Sequence, residues 1–172
     1  MSGREAWRYI KAHPVPGSPD APGAKTIPVI DTPFGRVAAA ICYDMDFPSL
    51  VRQAGRRRAD IVLVPAWDWR AIDPLHSAMA ACRAVENGFA MVRHSVEGLS
   101  LAVDGLGRRL AALDHFQTSR RVMFADVPTR RIRTVYSSVG DGLAWLSLAG
   151  LAAFAIGAIF RRKRRGRKSD II

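Results

Sequence analysis

Cys42 closes the apolar run "VAAAIC" and is followed at once by "YDMDFP". A thiol becomes a strong nucleophile only when something takes its proton or stabilises its thiolate. At the last position of a strand, where the chain turns and the backbone becomes accessible, it stands where α/β proteins put their chemistry. The histidines are His13, His76, His94 and His115, and none has a spacing that recommends a Cys–His dyad. Lys11 stands out instead, in "RYIKAHPVPG", just ahead of a rigid proline-rich turn. An ammonium beside a reaction centre can hold a tetrahedral oxyanion and lower the pKa of a nearby thiol. Cys82, inside the helix-like "SAMAACRAVENG", reads as a small buried hydrophobe. Two cysteines are too few for a disulfide framework, and no bridge between them is expected.

The elements that must position these residues follow from pattern and punctuation. Residues 1–26 are crowded with Pro and Gly and read as loop and turn. "IPVID" and "GRVAAAIC", joined by "TPFG", form a hairpin. "FPSLVRQAGRRR" is a short helix with Pro48 in its first turn. "ADIVLVPA" is a continuous apolar run, typical of a strand buried on both faces. "DPLHSAMAACRAVENG" is a helix with its start at Asp73-Pro74 and its stop at Gly88. Three strands follow: "FAMVRHS", "LSLAVD" with a "GLGR" turn, and "RRVMFADV". Strands alternating with helices, then antiparallel strands, make an α/β layered fold.

The formal net charge is +11, of which residues 161–172 (RRKRRGRKSDII) carry +6. What remains is an ordinary basic domain. No zinc-ligand spacing or RNA-binding motif accompanies the charge, so no nucleic-acid partner is implied. Ahead of the basic block, "LAWLSLAGLAAFAIGAIF" runs from Leu143 to Phe160 without charge or proline. Eighteen helical residues span ~27 Å, close to the hydrocarbon thickness of a bilayer. Trp145 sits near one end, as an aromatic-belt residue would, and the basic block reads as a cytoplasmic stop under the positive-inside rule. Everything before Leu143 is therefore expected on the periplasmic or extracellular face. "MSGREAWRYIKAHPVPG" has no signal-peptide core. The helix is thus expected either to insert alone or to end a longer chain.

"YIKAHPVPG", then "TPFGRVAAAICYDMDFP", then "RAVENG" resemble the nitrilase (carbon–nitrogen hydrolase) superfamily, and within it the C-terminal part of the apolipoprotein N-acyltransferases. The resemblance covers Trp7 to Phe160. It implies a Glu-Lys-Cys triad on an α-β-β-α sandwich, here a partial sandwich followed by one C-terminal transmembrane helix. The implied organisation is residues 1–137 as the C-terminal portion of a nitrilase-like domain, 138–160 as connector and membrane helix (about 143–160), and 161–172 as a cytoplasmic tail. Carried over by position, Cys42 would be the nucleophile that takes an acyl group as a thioester, and Lys11 would stabilise the oxyanion. Glu86 in "RAVEN" would be a supporting carboxylate, the Tyr43 backbone N–H an oxyanion donor, and Trp67 and Trp69 in "PAWDW" would border the substrate. The implied partners are a phospholipid acyl donor, a lipoprotein or other amine acceptor, and the inner (cytoplasmic) membrane. No metal and no organic cofactor is implied.

Three departures qualify the carry-over. The superfamily's general base is a glutamate well upstream of the lysine, and only ten residues precede Lys11; Glu5 is too close to be that group. Relatives place a glutamate soon after the Pro-Gly turn, where this chain has Ser18, Pro19 and Asp20, the last a possible substitute of shorter reach. Asp44 follows Cys-Tyr where many of the acyltransferases have Glu. Alternatives to the acyltransferase are a membrane-anchored amidase or nitrilase-type hydrolase and an inactive truncated fragment. Half a sandwich would also expose the sheet face and edges that its other part covers, leaving the chain marginally stable alone or dependent on a complementing segment.

Overall fold

The computed structural model describes Glu5, residues 7–119 and residues 121–169. It divides into two compact units, Met1–Ser138 and Val139–Ile172. The first holds a mixed six-stranded sheet in the order β1 (Val29–Thr32), β2 (Gly35–Ala39), β3 (Ile61–Trp67), β4 (Ala90–Val96), β5 (Leu99–Val103) and β6 (Arg109–Asp114). β2, β3 and β4 are parallel, and the outer pairings are antiparallel.

Parallel neighbours require crossovers, and two helices supply them. Helix α1 (Pro48–Arg56) has proline in its first turn, where a missing N–H costs nothing. It buries Leu50, Val51 and Ala54. Helix α2 (Leu75–Asn87) buries His76, Ala80 and Ala84 at a spacing of four, one stripe on one face. It ends at Gly88, whose φ of +73° suits glycine and whose N–H caps Ala84 at 2.7 Å. The two helices join one core with Ile27, Met45, Val62, Val64, Phe89 and Met91.

β3 differs from expectation. Val62 and Val64 are sealed, but Leu63 is 42% exposed and Trp67 67% exposed. Its continuous apolar run is therefore covered on one face only. Leu63 and Trp67 pair with Val92 and Val96 of β4, so the open face is largely apolar, with the exposed His94 opposite Pro65 between these pairs. The third late strand also moves. It is β6, Arg109–Asp114, and not "RRVMFADV". The turn at Asp104–Gly107, closed by Asp104 accepting the N–H groups of Leu106 and Arg108, sends the chain straight back along β5, so the nearer segment takes the edge. Residues 121–127 are irregular, and Arg120 lies outside the described residues. Cys82 faces outward from α2, on the side away from Ala80 and Ala84, and is a free, exposed thiol rather than a buried one.

A short helix, α3 (Val135–Val139), precedes α4 (Gly142–Ser169). The Gly142–Ile159 portion of α4 has a mean hydropathy of 1.9 and is long and apolar enough to cross a membrane.

Candidate active site

Cys42 lies beyond the end of β2, on the first residue of a one-turn 3-10 helix, Cys42–Asp46, and not on the strand itself. Its φ is +49°, a left-handed value that non-glycine residues rarely hold and that clusters at functional sites. The side chain is 8% exposed, and its thiol donates to the Trp67 carbonyl at 3.5 Å, at the end of the neighbouring parallel strand.

The turn is held by Asp44. Its fully buried carboxylate accepts the Ile41 N–H at 3.0 Å, the Tyr9 hydroxyl at 2.8 Å, the His13 N–H at 2.8 Å and the Ala12 N–H at 3.4 Å. One carboxylate thus fastens the segment carrying Lys11 to the turn carrying Cys42. Burial first, and then the hydrogen bond and negative charge of Asp44, push the Tyr9 phenol well above its ordinary value. His13 stacks on Phe47 at 3.7 Å, and Gly23 donates to the Lys11 carbonyl at 2.8 Å. That last approach needs glycine, because a Cβ there would stand 2.4 Å from the Ile10 carbonyl oxygen.

Lys11 and Cys42 line one groove of about 730 Å³. Tyr9, Asp20 and Trp67 line it too, and Ile10, Val15, Ile41 and Val96 make much of its wall apolar. Asp20 is the carboxylate on this wall among the described residues, and it accepts the Ser18 hydroxyl at 2.6 Å.

The other expected residues fall elsewhere. Trp69 is half exposed in the turn after β3, outside the groove lining. Glu86 sits near the end of α2, 2.9 Å from Arg83, while its carbonyl accepts the Thr134 hydroxyl. It too is absent from the lining. Tyr43 packs edge-on to Phe47 at 5.1 Å, and its N–H belongs to the first turn of the 3-10 helix.

Behind the cysteine lies a network that spacing did not reveal. His76 brings a ring nitrogen, Asp68 a carboxylate oxygen and Cys42 its sulfur within 4.8 Å of one another. Nδ1 of His76 is 2.6 Å from Asp68 and Nε2 is 3.0 Å from Asp46, which belongs to the Cys42 turn. Both nitrogens are engaged by carboxylates, so the ring clamps the turn and is not aimed to take the thiol proton. Arg93, 0% exposed, pairs with Asp68 at 2.8 Å, and Ser95 donates to it at 2.7 Å. Burial alone would raise the Asp68 pKa. Hydrogen bonds from His76, Arg93 and Ser95 and the charge of Arg93 outweigh it, holding the carboxyl well below the usual range. A 2.6 Å contact is a hydrogen bond rather than the spacing of two ligands on one ion, and Arg93 already supplies the cation. The donor set is that of a polar clamp.

The sequence matches the family described as carbon–nitrogen hydrolase over residues 2–136. It is 34% identical over 147 residues to an apolipoprotein N-acyltransferase of Geobacter metallireducens, covering 83% of this chain and 27% of the relative. To that of Azotobacter vinelandii it is 32% identical over 159 residues, 89% of this chain and 29% of the relative. The chain thus spans a little over a quarter of these relatives' length. A nitrilase-superfamily amidase of Nesterenkonia AN1 superposes with a TM-score of 0.54 at 25% identity, over 62% of this chain and 45% of the amidase. In another structure of that amidase (TM-score 0.50, 28% identity, 55% and 39% coverage) the acetamide moiety of fluoroacetamide is covalently attached at the active-site cysteine. By the extent of the family match, with a cysteine on a sheet-end turn and a lysine tethered to it, this chain belongs to the carbon–nitrogen hydrolase family.

Proposed function

We propose that this chain is the cysteine-bearing C-terminal portion of a membrane-bound N-acyltransferase, which moves a phospholipid acyl chain through a Cys42 thioester to the N-terminal amine of a lipoprotein. The observation that carries the reading is the shared groove of Lys11 and Cys42, with a largely apolar wall, in a chain similar to proteins named apolipoprotein N-acyltransferase. The Cys42 thiolate attacks the ester carbonyl carbon. A C–S bond forms, and the carbonyl electrons move to oxygen, where Lys11 and the Tyr43 N–H stabilise the charge. Collapse breaks the C–O bond, and the lysophospholipid leaves with a proton. The acceptor amine then attacks the thioester, forming the amide, losing a proton and restoring the thiol. Asp20 is the groove's own carboxylate for these proton transfers, in the place of the glutamate base that the resemblance implies.

Trp67, at the end of β3, serves as groove wall, and Trp69, in the turn that follows, borders the entrance. Glu86 supports the end of α2 without touching the reacting atoms. Residues 1–137 act as half of an α-β-β-α sandwich whose second layer covers the open face at Leu63 and Trp67. Residues 143–160 span the inner membrane once, leaving the catalytic unit outside and the basic tail 161–172 in the cytoplasm. The likeness to an amidase favours one alternative, in which water rather than an amine deacylates the same cysteine.

The test supplies native host membranes with a phospholipid carrying a tagged acyl chain. A hydroxylamine-labile band that disappears in Cys42→Ala is expected, and adding a lipoprotein acceptor should transfer the tag to it as a stable amide. A thioester that forms but discharges only to water would replace transfer by hydrolysis. No labile band from abundant wild-type protein would overturn the nucleophile assignment.

A further inference from the structure

The C-terminal ends of β2 and β3 carry the groove; their N-terminal ends carry a different chemistry. Arg36 lies at the start of β2, Arg56 ends α1, and Arg58 follows with a left-handed φ of +60°. Arg131 and Arg133 come from the segment after β6. These five arginines line one concavity of about 540 Å³, and Asp60 is the acidic residue among its lining.

That carboxylate is committed to backbone. Its Oδ2 accepts the Arg36 N–H at 2.8 Å and its Oδ1 the Arg131 N–H at 3.1 Å. Arg36 has an outside partner, Asp31, at 3.1 Å. Arg131 donates to the Gly55 carbonyl at 2.7 Å, while its Nε is buried with no protein acceptor. Among the described residues no carboxylate pairs with Arg56, Arg58 or Arg133. Burial, then the charges of Arg58, Arg133 and Arg36, lower the Arg131 pKa, and Asp60 opposes them only in part. Gathering like charges in a concavity focuses a positive field that an anion relieves.

We infer that this concavity is a binding site for a phosphoryl-bearing anion, separate from the acyl-transfer groove. A guanidinium fork matches phosphate oxygens in pairs, and a phosphoryl group offers more acceptor oxygens than a carboxylate, as a concavity lined by five arginines calls for. The site shares no lining residue with the Cys42 groove and stands at the other end of the same strands. The inference therefore does not rest on the acyltransferase reading. In the sequence its wall residue Ser138 stands four positions ahead of Gly142, where the helix proposed above to span the membrane begins, so chain order, on that reading of the helix, favours an anionic lipid head group as the source. Free phosphate shares the chemistry.

The test titrates the full chain, held in neutral phosphatidylcholine nanodiscs, with inorganic phosphate and with glycerophosphoglycerol, the water-soluble diester head group of an anionic lipid. Heat is measured at ~150 mM salt, where diffuse attraction is screened. Saturable binding is expected, weakened about tenfold or more in Arg56→Gln/Arg58→Gln/Arg133→Gln. The single Arg133→Gln, an exposed position, should show a smaller loss in the same direction and guards against misfolding of the triple variant. Binding of the diester identifies a lipid head group; binding of phosphate alone identifies the free ion; either supports the site. The basic tail is identical in all variants, so equal binding by wild type and triple variant assigns the anion to the tail and overturns the proposal. Absence of saturable binding by both probes overturns it as well.

Discussion

Asp44 and Asp68 flank the same cysteine, both nearly sealed from solvent, and they do opposite work. Asp44 is surrounded by backbone N–H groups and a phenol, all reaching it from segments that have to be held together. Asp68 is surrounded by the Arg93 guanidinium, the His76 ring and the Ser95 hydroxyl, groups that belong to the sheet and helix of the core. One carboxylate is a tether between a loop and a turn; the other is the counter-ion of a buried cation. Removing the tether should damage the site before the fold, and removing the counter-ion the fold before the site.

The largest effect is expected from Asp68→Ala, which leaves Arg93 buried with no opposite charge. Breaking a buried pair from one side costs about 3–5 kcal/mol, read by urea unfolding of the detergent-solubilised chain. Proton linkage gives a second reading from Asp68→Asn. The folded carboxyl titrates far below its unfolded value of 3.8, so its stabilisation is full above that value and drains away as pH falls through it toward the folded pKa. The stability gap between wild type and Asp68→Asn should hold steady from neutral pH down to about pH 5 and close below about pH 4. A gap that widens in acid would remove the counter-ion assignment.

Asp44→Asn comes next. The amide puts N–H groups where one oxygen accepted hydrogen bonds, so at least one buried donor loses its partner, a loss of about 1–3 kcal/mol. Its larger consequence falls on Lys11. Thioester formation at Cys42 should slow by about tenfold or more, because misplacing a group that stabilises developing charge is costly in rate. A rate unchanged alongside lost stability would make Asp44 another counter-ion and erase the contrast. Gly23→Ala tests the same tether from its far side. The new Cβ would overlap the Ile10 carbonyl and push the Lys11 segment off the turn, costing about 1–3 kcal/mol. Faster proteolysis confined to residues before β1 would mark the displacement as local; cleavage throughout would mark it as global.

The same contrast shows what pattern could carry. The hairpin, α1, β3, α2 and β4 are legible because turn residues and apolar runs are local signals, and the thiol of Cys42 and the ammonium of Lys11, which the fold brings to one groove, stand out beside turns. The open side of β3 is not legible, since a continuous apolar run does not say whether both faces have partners. β6 is not legible because the tight turn after β5, held by Asp104, decides the register, while "RRVMFADV" is the stronger strand former by composition alone. His76 gives no local signal, because its partners, Asp46 and Asp68, stand thirty and eight residues away in sequence and meet it only when α2 lies on the sheet. Asp44 stands out in the sequence only as an Asp where relatives have Glu; nothing local says that its oxygens are reserved for Tyr9 and His13.

The smallest expected effect separates the phenol from the carboxylate inside the tether. Tyr9→Phe keeps the ring and its packing and deletes one donor to Asp44, whose remaining partners are backbone N–H groups that stay in place. The loss should be about 1 kcal/mol. Because burial and then Asp44 raise the Tyr9 pKa above its ordinary 10, the hydrogen bond contributes fully below that pH and is lost only as pH rises through the folded value. The wild-type advantage over Tyr9→Phe should therefore be level from about pH 6 to pH 9, while thioester formation falls less than in Asp44→Asn. If the two variants slow the reaction equally, the phenol is what positions Lys11, and the buried carboxylate merely holds the phenol.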